Sequence, residues 1–518
     1  MDRRDFLRTG AAAAAGLGIA GPLAACSSDG ASGTTTTAVA TTTASTVPQL
    51  SAAAIADLRS RLSGSVLAPG DPGYDTTALP ANTRYRTIRP AAIAQCADEA
   101  DVVASVKWAR ENDIAPVGRG GGHSYAGLSA TPGLQIDLSA LNHVEMVDGP
   151  MCRVQGAALN SNVFAVVNEG PWLLPGGTCL GVGVGGLVLG GGIGYNTHWA
   201  GLTADRLRAT RMVTASGEVI EADESSNSDL FWACRGATGG QFGIHTEFVF
   251  ELVPVPATMT YFRYEWSGAD AALAVLTSFD TMMATAPDAL NAVAMAEASP
   301  IGDGQTPRDA ISVMSRGQFV GTQDELTAVL APLLAAAPEP TSATVQELPY
   351  WQAATNFLTE EGEAHSWGDI SRYADRTLPE QVWSQQVDTL VDCPSRESDA
   401  NGGLWVLGWV GGGVVDRHSR TDTAYVHRGM QTLIRPTPVW PTDAPTSVSD
   451  DLMDWTDEMV ALLDGHTPRE SYQNFPNRRI TDWAEQYYAE NFDRLVEVKG
   501  RYDPENVFTN EQGIPAPR

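Results

Sequence analysis

Positive charge is what this chain has least of: 33 Lys and Arg stand against 62 Asp and Glu, a formal net charge of -29 over 518 residues. A surface of that sign repels phosphodiester backbones and anionic lipid heads, which argues against nucleic acid as a partner. The acid is spread along the chain rather than gathered in one block, so its plainest consequence is solubility. Cysteine is also scarce. The six present, Cys26, Cys96, Cys152, Cys179, Cys234 and Cys393, contain no C-x-x-C pair and have no His at zinc-site spacing, so no metal centre is expected. With Cys26 set aside the remaining number is odd; a disulfide among four of them and a set of buried thiols both stay open, with burial the default. No apolar run reaches the roughly 20 residues of a comfortable membrane span, and the stretch from Gly10 to Ala25 is short and glycine-rich. No internal repeat is visible.

What the N-terminus does contain is the layout of a twin-arginine export signal, Arg3 and Arg4 ahead of Phe6-Leu7 and then the apolar stretch. Leu23-Ala24-Ala25-Cys26 has the form of a bacterial lipobox, in which cleavage leaves Cys26 to be lipidated. Residues 26–50 form a Ser/Thr-rich tether too poor in apolar side chains to fold. The expectation is a signal peptide over 1–25, a membrane lipid anchor at Cys26 and an extracytoplasmic protein, with plain secretion as the alternative. The twin-arginine route carries folded proteins, so a chain that must acquire a cofactor before export has reason to use it.

A chain this long, with 43% hydrophobic residues and 51 glycines, calls for two lobes. Asp98 to Asn112 reads as a helix capped by Asp98, with Val102, Val103, Val106 and Ala109 at helical spacing, and Ile114 to Val117 follows as a strand. Further strands are expected at Leu134–Asp137, Cys152–Gln155, Arg211–Thr214 and Thr246–Phe250. Beyond Thr258, alternation at Tyr261–Trp266, Ile311–Phe319 and Leu404–Trp409 mixes with Ala/Leu helices at Ala269–Ala284 and Asp324–Ala337, an antiparallel sheet with helices on one face. Trp483 to Tyr502 reads as one helix, stopped by Asp503-Pro504. The boundaries drawn are 51–256, 257–470 and a C-terminal segment, 471–518, that returns to the first lobe. The fold class is α+β.

Two glycine clusters carry the chemistry. Gly118-Arg119-Gly120-Gly121-Gly122-His123-Ser124 follows a strand and lets consecutive backbone N–H groups converge on a phosphate. The second runs from Pro175 through Cys179, Val182, Gly185 and Gly186 to Gly194. No clean strand-glycine-helix unit is present, so a nicotinamide site is rejected. The runs Pro116–Gly127 (PVGRGGGHSYAG) and Pro175–Asp205 (PGGTCLGVGVGGLVLGGGIGYNTHWAGLTAD), with Asp229–Gly236 and Tyr502–Phe508, resemble the berberine bridge enzyme-like oxidases. These belong to the vanillyl-alcohol oxidase, or p-cresol methylhydroxylase (PCMH), flavoprotein fold. The resemblance covers nearly the whole mature chain and is most specific in the flavin lobe.

The resemblance implies an FAD-binding PCMH-type domain followed by a substrate domain. It implies FAD attached twice, by an 8α-histidyl bond at His123 and a 6-S-cysteinyl bond at Cys179, which raises the flavin's potential in this family. The backbone from Gly118 to Ser124, with Gly185, Gly186 and Gly194, is then expected to hold pyrophosphate and ring. Val182 stands where relatives carry a gate over the oxygen-reactive carbon, and a small residue there resembles the oxidases. The pattern breaks at the proton-handling positions. Many relatives have Tyr-x-Asn-Tyr where this chain has Tyr472-Gln473-Asn474-Phe475, and a phenylalanine takes no proton. After His427-Arg428, alternation is expected to put Gln431, Leu433 and Arg435 on one face. Arg435 is a poor base but a good anchor for a carboxylate or developing oxyanion. Tyr472 is the remaining base candidate or else an aromatic wall, and Tyr125, Tyr195 and His198 trail it. Trp351, Trp367, Trp405 and Trp409 are candidates to stack sugars or aromatic rings. The resemblance implies an oxidase of a carbohydrate, or of a secondary-metabolite alcohol or amine, using molecular oxygen. The alternatives are a dehydrogenase that passes electrons to a quinone or redox protein, and an idle flavin-binding surface protein.

Overall fold

The computed structural model describes residues 50–299, 306–359, 364–394 and 400–517. The expected signal peptide, Cys26 and most of the expected tether lie outside the described residues. The chain from Ser65 to Glu251 builds two small sheets. In the first, Ser65–Leu67, Ala92–Gln95, Leu134–Asp137 and Pro116–Arg119 lie in that order, the last three parallel. Helix Glu99–Glu111 makes the crossover. Asp98 caps it, its side chain accepting from Asp101 N at 3.0 Å, and Val102, Val106 and Ala109 face the sheet residues Ala92, Ala94, Leu134 and Ile136. The second sheet is antiparallel: Val144–Met146, Met151–Gln155, Gly243–Glu251, Leu207–Thr214, Val219–Asp223.

A larger antiparallel sheet follows. Its order is Ser342–Pro349, Thr258–Ser267, Ser312–Phe319, Leu290–Ala298, Asn401–Leu407, Thr432–Pro441 and His365–Trp367, and Arg372–Ala374 also pairs with Thr432–Pro441. Period-2 alternation sorts its side chains. Leu404, Val406 and Ile434 join the core under the covering helices Ala269–Met283, Glu380–Val391 and Thr446–Ala461. Trp405, Leu407, Arg435, Thr437 and Val439 point the other way, toward the glycine loops. The architecture is therefore two-lobed α+β, with one face of the large sheet given to helices and the other to the site.

Two local expectations are corrected. Gln431 does not share the face of Leu433 and Arg435: the strand begins only at Thr432, and Gln431 Nε2 turns to the helix side, donating to Asp280 O and Oδ1 at 3.0 Å each. The C-terminal helix is not continuous. It breaks into Trp483–Tyr488 and Phe492–Tyr502 at Ala489, whose φ of 40° is left-handed. The break lets Tyr488 Oη donate to Ala237 O at 2.9 Å and Asn491 Nδ2 reach Arg420 O at 2.8 Å.

The last segment is locked by a fully buried ion pair. Lys499 Nζ donates to Asp503 Oδ2 at 2.7 Å, to Phe508 O at 2.6 Å and to Gln241 O, and Asp503 in turn accepts from Val507 N and Phe508 N. Phe508 to Asn510 reach the cavity described below. Removing one member of such a pair leaves the other charge buried alone. Lys499→Met is expected to destabilise the protein by about 3–5 kcal/mol, read as a lowered urea-unfolding midpoint. A change within about 0.5 kcal/mol would show that the pair holds nothing.

Candidate active site

The strand Pro116–Arg119 delivers the first glycine loop, and the second leads into the short helix Val184–Leu189. Their backbones touch. A Cβ on Gly121 would stand 2.4 Å from Gly183 N, and one on Gly183 would stand 2.6 Å from Gly121 N, so neither position tolerates a side chain. Gly194 is equally constrained, its Cβ falling 1.8 Å from Gly176 O.

The loops border a cavity of about 960 Å³, at the upper end of the size range for small-molecule sites. Gly118, Gly120, Gly121, Gly122, His123, Ser124, Cys179, Val182, Gly185, Gly186, Gly194, Arg435 and Tyr472 all line it. Arg119 is the exception. Its guanidinium turns under the loop to the carbonyls of Thr77, Leu79 and Ser129, and burial lowers its pKa to about 10. The backbone N–H groups of Gly120, Gly121, Gly122 and Ser124 have no protein acceptor among the described residues, and the helix at Val184 carries no side-chain cap over Gly185 and Gly186. Open amides on two glycine loops beside a cavity of this volume fit the pyrophosphate and ring of a dinucleotide such as FAD.

His123 sits on the first loop with its ring 5.7 Å from that of Trp367. Cys179 sits on the second, where Asn160 Nδ2 donates to its carbonyl at 2.9 Å and a backbone bridge joins it to Thr359. Cys96, Cys152, Cys234 and Cys393 are buried, and burial pushes each thiol up to about 12, whereas Cys179 opens to the cavity. No disulfide joins the described cysteines.

Arg435 is held between Asp369, whose Oδ2 lies 2.7 Å from its Nε, and the face of Phe475, 4.5 Å from its Cζ. Burial raises the Asp369 carboxyl above its ordinary value while Arg435 pulls it back. Burial opposes the charge on Arg435 too, yet Asp369 holds that guanidinium above its usual value. Tyr472 is buried, and its Oη accepts from Gly192 N at 2.9 Å and from Asn474 Nδ2 at 3.1 Å. Burial raises the phenol to about 12 against those two donors, so it keeps its proton at neutral pH.

Of the other residues singled out in the sequence, Tyr125, Tyr195, Trp367, Trp405 and Trp409 line the cavity. Trp351 packs instead against Phe164 and Tyr350, and His198 Nδ1 is spent on Leu290 O at 2.9 Å. Arg316, His365 and Asp369 went unnoticed. Arg316 and His365 line the cavity and Asp369 stands behind Arg435, but none belongs to a motif; a strand arginine whose alternation turns it away from the helices was the one available signal for Arg316.

Comparison with known proteins agrees with this geometry. A family profile described as an FAD binding domain matches residues 90–223, and one described as berberine and berberine like matches 471–515. An uncharacterised FAD-linked oxidoreductase, YgaK of Bacillus subtilis (strain 168), is 31% identical over 464 residues, covering 88% of this chain and 98% of its own. Glucooligosaccharide oxidase of Sarocladium strictum is 27% identical over 464 residues, covering 85% and 89%. The solved structure of Physcomitrella patens BBE-like 1 superposes with a TM-score of 0.78 at 23% identity, covering 90% of this chain and 99% of that one. The fold and site are those of a flavin-dependent oxidoreductase. This chain belongs to the berberine bridge enzyme-like family of FAD-linked oxidoreductases.

Tyr472→Phe is expected to leave Gly192 N–H without its acceptor and to destabilise the protein by about 1–3 kcal/mol, while slowing flavin reduction by less than about tenfold. A loss of about a thousandfold would identify Tyr472 as the proton acceptor.

Proposed function

We propose that this chain is an oxidase of a carbohydrate, or of an alcohol or amine of a secondary metabolite, with FAD bonded covalently at both His123 and Cys179 and oxygen reduced to hydrogen peroxide. The observation that carries this reading is that these two side chains stand on interlocked glycine loops and open into one cavity. When bound, FAD supplies a two-electron acceptor for the hydride of a substrate C–H bond. The open amides of Gly120, Gly121, Gly122 and Ser124, with Gly185 and Gly186, would hold its pyrophosphate, and Gly118 and Gly194 border the same space.

Arg435, fixed by Asp369, presents a preorganised cation where negative charge develops on the substrate oxygen. Tyr472, a neutral phenol lining the same cavity, accepts from Gly192 N and ties the Gly192 turn to the C-terminal segment. Trp367 and Trp405 offer flat apolar flanks, which suits a sugar ring, as the name of the glucooligosaccharide oxidase also does. Val182, small and cavity-lining three residues past Cys179, supports access by oxygen. In balance the substrate gives up two electrons and two protons, and oxygen takes up both pairs. The twin-arginine signal and the lipobox support export of the folded protein and its retention by a lipid at Cys26.

Intact mass spectrometry of the acid-denatured mature protein is expected to show one FAD surviving denaturation and a chain that begins at a lipidated Cys26. His123→Ala and Cys179→Ala should each keep the flavin through the remaining bond, and the double variant should shed it. Release of flavin from the unaltered protein overturns the covalent reading, and a mass without lipid overturns the anchor. After anaerobic reduction, admitting air is expected to restore the oxidised flavin spectrum within seconds. Flavin that stays reduced for minutes favours a dehydrogenase instead.

A further inference from the structure

The substrate side of the cavity carries charge of one sign. Arg316 and Arg435 line it and, among the described residues, no Asp or Glu does, in a chain whose acidic residues outnumber its basic ones 62 to 33. The two arginines come from different strands of the large sheet, Ser312–Phe319 and Thr432–Pro441. Through the register Arg316 opposite Val293, Val293 opposite Leu407 and Leu407 opposite Leu433, the two arginines share one face of the sheet and open into the same cavity.

Their partners differ. Arg435 has Asp369 behind it, and its side chain is only 16% exposed. Arg316 has no acidic partner among the described residues. Its Nε donates to Tyr195 Oη at 2.9 Å, and its guanidinium lies 5.4 Å from the Tyr195 ring centre and 6.0 Å from that of Phe357. Burial holds the Tyr195 phenol above its ordinary value, so it orients the guanidinium without neutralising it. The two terminal nitrogens of Arg316 have no protein acceptor among the described residues, and they are not sealed from the cavity. A half-buried cation without a counter-charge is costly unless a ligand supplies one. A planar fork of N–H donors braced on aromatic faces matches the two oxygens of a carboxylate.

We propose that the substrate is a carboxylate-bearing alcohol or sugar, a sugar acid being the simplest, whose carboxylate pairs with the open fork of Arg316 while Arg435 faces the hydroxyl oxygen on the carbon being oxidised. The inference rests on the oxidase reading above and names the class of substrate. For a sugar acid the anomeric C–H leaves as hydride to the flavin and the hydroxyl proton goes to solvent. The ring carbon becomes a lactone carbonyl, and oxygen takes the two electrons with two protons.

The test uses the flavin-loaded protein and matched pairs that differ only in the carboxylate: glucose and glucuronate, galactose and galacturonate, benzyl alcohol and 4-(hydroxymethyl)benzoate. Anaerobic flavin bleaching gives rates, and quenching of tryptophan fluorescence gives equilibrium affinity without turnover. In at least one pair the acid is expected to bind at least about tenfold tighter than its neutral counterpart and, where bleaching occurs, to bleach at least about tenfold more efficiently. Arg316→Gln should abolish that preference and Arg316→Lys should restore part of it. Bleaching by neutral members with no acid preference in any pair overturns this inference and leaves the oxidase reading standing. Tight acid binding without bleaching by any member upholds the charge preference and overturns the oxidase reading. No tenfold preference in any pair, or tighter binding of glucose 6-phosphate than of glucuronate, overturns the carboxylate.

Discussion

The site depends on one close approach, the backbone of Gly121 against that of Gly183, near enough that a methyl group on either would fall within 2.6 Å of the other's nitrogen. That contact sets the distance between the loop bearing His123 and the loop bearing Cys179. Any wider spacing would need side chains to fill the seam, and the amides now open to the cavity would turn elsewhere for acceptors. Under the proposed double attachment, two anchor points would serve a planar ring only if their separation is invariant, and a backbone-to-backbone seam is a stiff way to make it so.

The remaining wall is looser in origin. It comes from a sheet far down the chain, from residues that share no motif, and from a C-terminal segment pinned by Lys499 and Asp503. Cofactor cradle and substrate wall thus answer to different constraints. The cradle is specified by glycines at consecutive positions, while the wall is specified by which way each strand residue points and by what stands behind it, as Asp369 stands behind Arg435.

That division explains how much the sequence disclosed. The helix capped by Asp98, most strand positions and the cavity-lining glycines were legible because each rests on a local pattern of caps, alternation or glycine runs. The break at Ala489 was not, since an alanine gives no sign of a left-handed φ imposed by Tyr488 and Asn491 reaching for distant carbonyls. Gln431 was assigned to the wrong face because alternation was extended one residue before the strand begins. Arg119 is a cradle candidate through its backbone alone, for its side chain belongs to the carbonyls beneath the loop. Arg316 and Asp369 escaped because their importance is purely tertiary: one is a cation with no acidic partner among the described residues, the other a carboxylate whose partner lies 66 positions away in the chain, at Arg435.

The alternation of the large sheet has a consequence for how such a protein can change over evolutionary time. In the strands Asn401–Leu407 and Thr432–Pro441, Leu404, Val406 and Ile434 fasten the helices while Trp405, Leu407, Arg435, Thr437 and Val439 face the cavity. Adjacent codons therefore answer to separate selection pressures. One set is screened for folding and the next for what is admitted, so ligand preference can drift by single substitutions without passing through an unfolded ancestor.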